Sequence, residues 1–109
     1  MHTIVRVDHS ELTEVFHSYI ERRLRFALGR FGDRVGLITV SVSGSGREEN
    51  KCRITAELLP FGRVVVEESD PDLLLAIDRA TGRLGRLFGR ALDRTREART
   101  GRDSIRLAA

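Results

Sequence analysis

The chain is poor in the residues that build disulfide scaffolds and membrane spans. It has 109 residues with one cysteine, no tryptophan and two prolines. Because a lone cysteine, Cys52, cannot form an internal disulfide, a reducing compartment is expected. No apolar run reaches the ~18 residues that a transmembrane helix needs, and Met1–Asp8 shows no signal-peptide pattern. The sequence therefore predicts a soluble, cytoplasmic protein without a membrane partner.

Residues suited to catalysis or metal binding are also sparse. His2, His9 and His17 lack metal-ligand spacing. The two-residue alternation of a predicted strand turns Cys52 inward, which favours a small core residue over a nucleophile. Gly44-Ser45-Gly46 lacks the third glycine and the following helix of a dinucleotide-binding motif. We therefore expect no enzyme, no metal, no cofactor and no small-molecule substrate.

Hydrophobic periodicity predicts six elements in the order β-α-β-β-β-α. The strands are predicted at His2–Val7, Val35–Ser43, Lys51–Leu58 and Arg63–Glu68, and the helices at about residues 11–31 and 71–99. Ser10 or Thr13 can cap the first helix, and Gly29 and Gly32 end it. Which residues of the fourth strand face the core stays open, because the three consecutive valines Val64-Val65-Val66 show no alternation of apolar and polar residues.

These elements predict an α+β fold, a two-layer sandwich with a four-stranded mixed sheet and both helices on one face. The first two strands should be parallel, joined by a right-handed crossover, and the rest an antiparallel meander. Residues 1–99 are expected to form one domain and residues 100–109 a flexible tail.

The last helix is expected to begin at Pro71, with Asp70 or Ser69 as its cap. Its apolar stripe includes Leu73, Ile77, Ala80, Leu84, Leu87, Phe88, Ala91 and Thr95. A second stripe, here named the Arg ridge, consists of Arg79, Arg83, Arg86, Arg90 and Arg94. Acidic partners at i±4 are nearly absent. Like charges in a row favour an external polyanion over a plain solvated face, which stays the alternative.

The charge balance points the same way. Residues 79–106 hold nine arginines against three acids, whereas residues 1–78 hold ten basic against thirteen acidic residues. Basic charge concentrated on one helix is typical of polyanion binding. Most of the six aromatic residues are at positions whose spacing predicts that they face the core, so few are expected to stack on bases. The pattern favours recognition of phosphate geometry in structured RNA.

Several strings, taken in order, resemble the ribosome hibernation promoting factors, the family that includes ribosome-associated inhibitor A. They are Glu11-Leu12-Thr13-Glu14, Tyr19-Ile20-Glu21, Phe31-Gly32-Asp33-Arg34-Val35, Glu68-Ser69-Asp70-Pro71-Asp72-Leu73, Leu75-Ala76-Ile77-Asp78 and Arg83-Leu84-Gly85-Arg86. The resemblance covers roughly residues 2–98. Its members have β-α-β-β-β-α domains similar in topology to double-stranded-RNA-binding domains.

The resemblance implies a stress or stationary-phase factor that lodges in the mRNA–tRNA channel of the small ribosomal subunit, contacts its rRNA and blocks translation. By position, Arg83, Arg86, Arg90 and Arg94 match basic residues of the family's last helix, and Arg23 matches one on the first. Arg22 and Arg25 are its neighbours. The chain resembles the short forms, which lack an extra dimerisation domain.

Two other functions stay open from the sequence. One is a protein-interaction module that self-associates, if weakly, through a helix face containing Gly82, Gly85 and Gly89, with the Arg ridge meeting an acidic protein. These glycines would otherwise allow close packing of the first helix. The other is a generic binder of structured RNA, which would show no preference for ribosomes.

Overall fold

The structure, a computed structural model, describes the backbone of residues 2–7, 13–44 and 49–108, and the side chains of residues 2–6, 16–44 and 49–95. Its elements are β1 (His2–Val7), α1 (Thr13–Leu28), β2 (Val35–Ser43), β3 (Asn50–Leu58), β4 (Arg63–Asp70) and α2 (Leu73–Ala108). A 3₁₀ segment, Gly29–Arg34, connects α1 to β2. The predicted turn at 8–10, the capping side chains of α1, Leu12 and the side chain of Val15 lie outside the described residues.

The sheet order is β1-β2-β3-β4. β1 pairs with β2 in parallel, with Val5 opposite Val40, and the other two pairings are antiparallel. A parallel pair needs a long crossover, and α1 is that crossover. The predicted mixed sheet and element order are confirmed.

The core lies between the sheet and one layer of helices. α1 and α2 pack against each other, and α2 covers β3 and β4. The inward strand positions include Ile38, Val40, Val42, Cys52, Ile54, Ala56, Val64 and Val66, and the helices contribute Ile20, Leu24, Leu28, Ile77, Leu84 and Phe88. Two-residue periodicity on strands and helical spacing on helices place these residues together. The prediction that Cys52 is a core residue is confirmed, since its side chain is fully buried.

The fourth strand has an alternating pattern that its three consecutive valines conceal. Val64 and Val66 are buried, whereas Val65 is exposed. It lies on the side of the sheet away from the helices, here named the open sheet face, together with Ile4, Arg6, Ser41, Lys51, Arg53, Thr55 and Glu67. Lys51 pairs with Glu67 there at 3.1 Å.

α2 starts later and ends later than the sequence predicts. Its first residue is Leu73, and the cap is Asp72, whose Oδ1 accepts a hydrogen bond from the backbone N–H of Leu74 at 2.9 Å. Asp70, the predicted cap, instead accepts from the N–H of Asp72, also at 2.9 Å. The prediction that Asp70 or Ser69 caps a helix beginning at Pro71 is therefore wrong by two residues.

The helix also continues through residues 100–108, where the sequence predicts a fraying tail. No proline interrupts this stretch, and its two arginines, leucine and alanine are good helix formers. Among the described side chains, the last buried core residue of α2 is Leu92. The assignments of residues 1–99 as one domain and of residues 100–109 as a flexible tail stay predictions.

Candidate nucleic-acid interface

The five members of the Arg ridge are all exposed on α2. Helical geometry spreads them over about 22 Å of helix at 1.5 Å per residue. At 100° per residue, Arg86 lies about 180° from the buried Ile77, so it points away from the sheet. The ridge is thus one continuous strip of guanidinium groups on the outside of the helix layer.

Two members of the ridge are neutralised by the protein itself. Arg79 Nη1 lies 2.9 Å from Asp70 Oδ2, and Arg83 Nη1 lies 3.3 Å from Glu68 Oε1. The i±4 spacing on the helix predicts few acidic partners, because it covers only neighbours on α2 itself. Both carboxylates instead come from the end of β4, which the fold brings beside the first turns of α2. The ridge is therefore not uniformly unpaired, and that expectation is corrected.

The remaining three members, Arg86, Arg90 and Arg94, have no carboxylate within 4.0 Å among the described side chains. Arg86 folds back along the helix, and its Nη1 lies 3.7 Å from where a Cβ of Gly82 would be. These three cations form the unpaired half of the ridge. Their charge is available to an external anion.

Of the three predicted arginines on α1, Arg23 is engaged within the molecule. Its Nε lies 3.3 Å from Asp78 Oδ1, but its N–H is not aimed at that oxygen, so the pair lacks a hydrogen bond. The Tyr19 hydroxyl donates to the same Asp78 oxygen, and this hydrogen bond raises the pKa of Tyr19. Arg22 and Arg25 are exposed and have no ion pair with a described side chain.

The helix layer holds a further cation, Arg30, that is not among the arginines predicted from the sequence. Its guanidinium carbon lies 4.7 Å from the centre of the Phe31 ring, and Phe31 in turn packs on Phe88 with ring centroids 5.1 Å apart. Arg30 Nη2 also lies 4.0 Å from the position of a Cβ on Gly89. A cation held over an aromatic ring is partly immobilised. The signal that could have found Arg30 is its position directly before Phe31, an apolar residue of the predicted core stripe.

The assignment of most aromatic residues to the core holds for Phe88 and, in part, for Phe16, Tyr19 and Phe31. The other two aromatic residues are exposed. Phe26 on α1 is 84% exposed, and Phe61 in the β3–β4 turn is 91% exposed. Phe26 lies about 200° from the buried Leu24 on the helix, which turns it away from the sheet. Two exposed aromatic rings are therefore available to stack on bases, although the sequence pattern gives base stacking little support.

The glycine face of α2 packs within the chain. A Cβ on Gly85 would lie 3.1 Å from the carbonyl oxygen of Ala27, and one on Gly89 would lie 3.4 Å from Phe31. Of the three glycines, only Gly82 meets no other element within 4 Å. Close packing of α1 therefore accounts for Gly85, and close packing of the 3₁₀ segment accounts for Gly89. This removes the main reason for a self-association face.

The chain matches, over residues 3–96, the family described as "Sigma 54 modulation protein / S30EA ribosomal protein". It belongs to this family. The resemblance inferred from the sequence strings is confirmed at this level, because the S30EA family is that of the ribosome-associated hibernation proteins, which are not enzymes. No match is found among curated proteins.

Two solved structures share the fold of this S30EA protein. The N-terminal domain of Protein Y from Thermus thermophilus is 33% identical, with a TM-score of 0.70, and the match covers 83% of this chain and 98% of that one. A ribosomal subunit interface protein from Coxiella burnetii has a TM-score of 0.71 at 12% identity, and the match covers 85% of this chain and 99% of that one. At this low identity the second likeness concerns the fold alone.

The described residues of this S30EA protein form no metal centre, since no group of three or more His, Cys, Asp or Glu side chains among them is arranged to hold an ion. None of the described helices has both the length and the apolar character needed to span a membrane. The helix layer, with its unpaired arginines, is the candidate site that the geometry offers.

Proposed function

We propose that this protein binds rRNA of the small ribosomal subunit through the Arg ridge, occupies the mRNA–tRNA channel and so inhibits translation as a hibernation factor in the cytoplasm. The observation that supports it best is the set of three ridge arginines, Arg86, Arg90 and Arg94, without a carboxylate partner among described side chains. Membership of a ribosome-associated family supports a ribosomal partner.

The physical basis is neutralisation of phosphate charge. Five arginines of the eight predicted have no ion pair with a described side chain: Arg22, Arg25, Arg86, Arg90 and Arg94. If each contacts one phosphate and releases counterions, the logarithm of the affinity should fall with the logarithm of salt concentration at a slope of roughly −4. The fixed ridge spacing favours folded RNA, whose phosphates also stand at fixed positions.

Co-sedimentation with purified small subunits tests this proposal. The variant R86E/R90E/R94E should fail to co-sediment, while its circular dichroism stays that of the wild type because all three side chains are exposed. A matched control, R6E/R53E/R63E, makes the same charge change at three exposed arginines off the helix layer. We expect the control to bind at close to wild-type level. Undiminished binding of the first variant would refute the proposal.

A generic binder of duplex RNA would behave differently. It would bind any A-form duplex as tightly as it binds the small subunit, so competition between the two probes separates the functions. A hibernation role further predicts that the protein co-migrates with ribosomes in sucrose gradients of stationary-phase lysates and that its addition lowers translation in a cell-free system. The ridge variant should do neither.

A further inference from the structure

Phe26 is unusual among the large apolar residues of α1. In the described part of this helix the others are buried or partly buried: Phe16, Tyr19, Ile20, Leu24 and Leu28. Phe26 is 84% exposed and lies on the outer side of the helix layer. Leaving a phenylalanine ring in water forgoes about 1.5–3 kcal/mol of burial free energy. The ring therefore contributes nothing to the core, which leaves its surface available for contact with a partner.

The surroundings of Phe26 are cationic. Arg22 lies one turn before it, about 6 Å away along the helix axis, and Arg25 precedes it directly. Arg30 follows four residues later, in the 3₁₀ segment that continues α1. None of these three pairs with a described carboxylate. Glu21, the nearest acid in sequence, faces His17 at 3.7 Å. Arg30 is itself held over the Phe31 ring.

An aromatic ring framed by arginines is suited to a ligand that joins a flat apolar ring to negative charge. An unpaired nucleotide has both, since its base can stack on the phenylalanine while phosphates on either side meet the guanidinium groups. An apolar protein surface would have to desolvate the flanking cations without neutralising them. The charge around Phe26 therefore favours RNA over an apolar protein partner.

We propose that Phe26 is a stacking platform for one unpaired base of the RNA that the helix layer binds. This inference rests on the proposed function and adds a contact to it: the bound RNA is not a continuous duplex at α1 but presents at least one base that is free to stack. The arginines fix the strand, and Phe26 selects single-stranded over paired nucleotides at that point.

Tryptophan substitution gives a direct readout, because the chain contains no tryptophan. In the variant F26W, binding of a single-stranded oligouridylate or of small subunits should quench indole emission, whereas a perfectly paired duplex of the same length should leave it largely unchanged. The matched control is F61W, at the 91% exposed phenylalanine of the β3–β4 turn, outside the helix layer. Its emission should not respond to either RNA.

Affinity measurements complete the test. F26A should bind oligouridylate and small subunits about tenfold more weakly, as for the loss of one base–aromatic stack. F26L keeps an apolar side chain but lacks the ring, so it should also bind more weakly than the wild type. The control F61A should bind as tightly as the wild type. The high exposure of Phe26 makes a folding defect an inadequate explanation, and thermal unfolding of each variant checks this.

Three results would overturn the inference. Wild-type affinity of F26A together with unchanged F26W emission on saturating RNA, while R86E/R90E/R94E still fails to bind, would remove the stacking role and leave the proposed function standing. Weaker binding of F26A to small subunits, with unchanged binding to RNA alone, would mean that Phe26 contacts a ribosomal protein and not a base. Absence of binding by the wild type itself would remove the proposed function and the inference together.

Discussion

Arg79 Nη1 lies 2.9 Å from Asp70 Oδ2, at the point where β4 leads into α2. The other carboxylate oxygen of Asp70 accepts a hydrogen bond from the backbone N–H of Asp72. One side chain therefore both shapes the start of the helix and neutralises the first member of the Arg ridge. One turn further on, Glu68 pairs with Arg83. The ridge thus has a compensated half beside β4 and an uncompensated half beyond it.

Removing the two carboxylates should enlarge the RNA-binding charge. In E68Q/D70N, the amide that replaces the Asp70 carboxylate is isosteric and keeps an oxygen to accept the N–H of Asp72, but neither new side chain neutralises its arginine. We expect tighter binding to small subunits and a salt slope steeper by roughly 0.9 for each arginine that gains a phosphate contact. Filter binding across a salt series measures both quantities.

The control for that experiment is E67Q, which removes a carboxylate paired with Lys51 on the open sheet face. It changes the net charge in the same direction without touching the ridge, so its salt slope should equal that of the wild type. Equal slopes for E68Q/D70N and the wild type would show that Arg79 and Arg83 do not reach RNA.

Two glycines on α2 should respond oppositely to alanine. G82A places its methyl group in open space beside the flexible end of Arg86, so the helix gains about 1 kcal/mol of stability from propensity. G85A gains the same propensity, but its Cβ lies 3.1 Å from the carbonyl oxygen of Ala27 and must push α1 away. Overpacking of this kind costs about 1–3 kcal/mol.

Urea unfolding should therefore rank the free energies of unfolding as G82A above wild type, and wild type at or above G85A. Both variants leave the charge of the ridge unchanged, but the G82A methyl group meets Arg86 Nη1 at 3.7 Å, so subunit binding reports on helix packing only for G85A. Equal stabilisation by the two substitutions would mean that α1 does not rest on Gly85.

Burial of Cys52 predicts a specific loss of stability at alkaline pH. Desolvation raises the pKa of this thiol from its ordinary 9.0 to about 12. Between these values the folded chain keeps the proton that the unfolded chain has lost. The free energy of unfolding should therefore be intact below pH 9 and fall as the pH rises towards 12, by at most about 1.4 kcal/mol per pH unit.

Urea unfolding of the wild type and of C52A at a series of alkaline pH values checks this, since the variant lacks the thiol and should lose stability less steeply. The raised pKa of Tyr19 also lowers the free energy of unfolding at alkaline pH, but it does so in both proteins. The difference between the two proteins therefore reports on Cys52. The native thiol should also react slowly with iodoacetamide at pH 8 and quickly in urea. Rapid native alkylation would contradict the burial.

The sequence by itself determined the elements and their inward faces. The bounds of β1 and β2 and the inward positions of β3 follow from alternation within a few residues, and the apolar spacing of α1 and α2 predicts which stripe is buried. Such patterns are local, because a strand or helix repeats its facing every two or every 3.6 residues. The mixed sheet followed in turn from the order of these elements.

Only the tertiary structure decided which charges and rings are available. Asp70 and Glu68 lie nine and fifteen residues from the arginines they pair with, beyond the reach of i±4 rules, and β4 brings them there. Helical spacing places Phe26 outside the stripe that forms the core, but its 84% exposure depends on the absence of another described element above α1. Likewise, Gly85 has a structural role because α1 packs onto it. Periodicity fixes where a side chain points, whereas its partner depends on how the elements pack together.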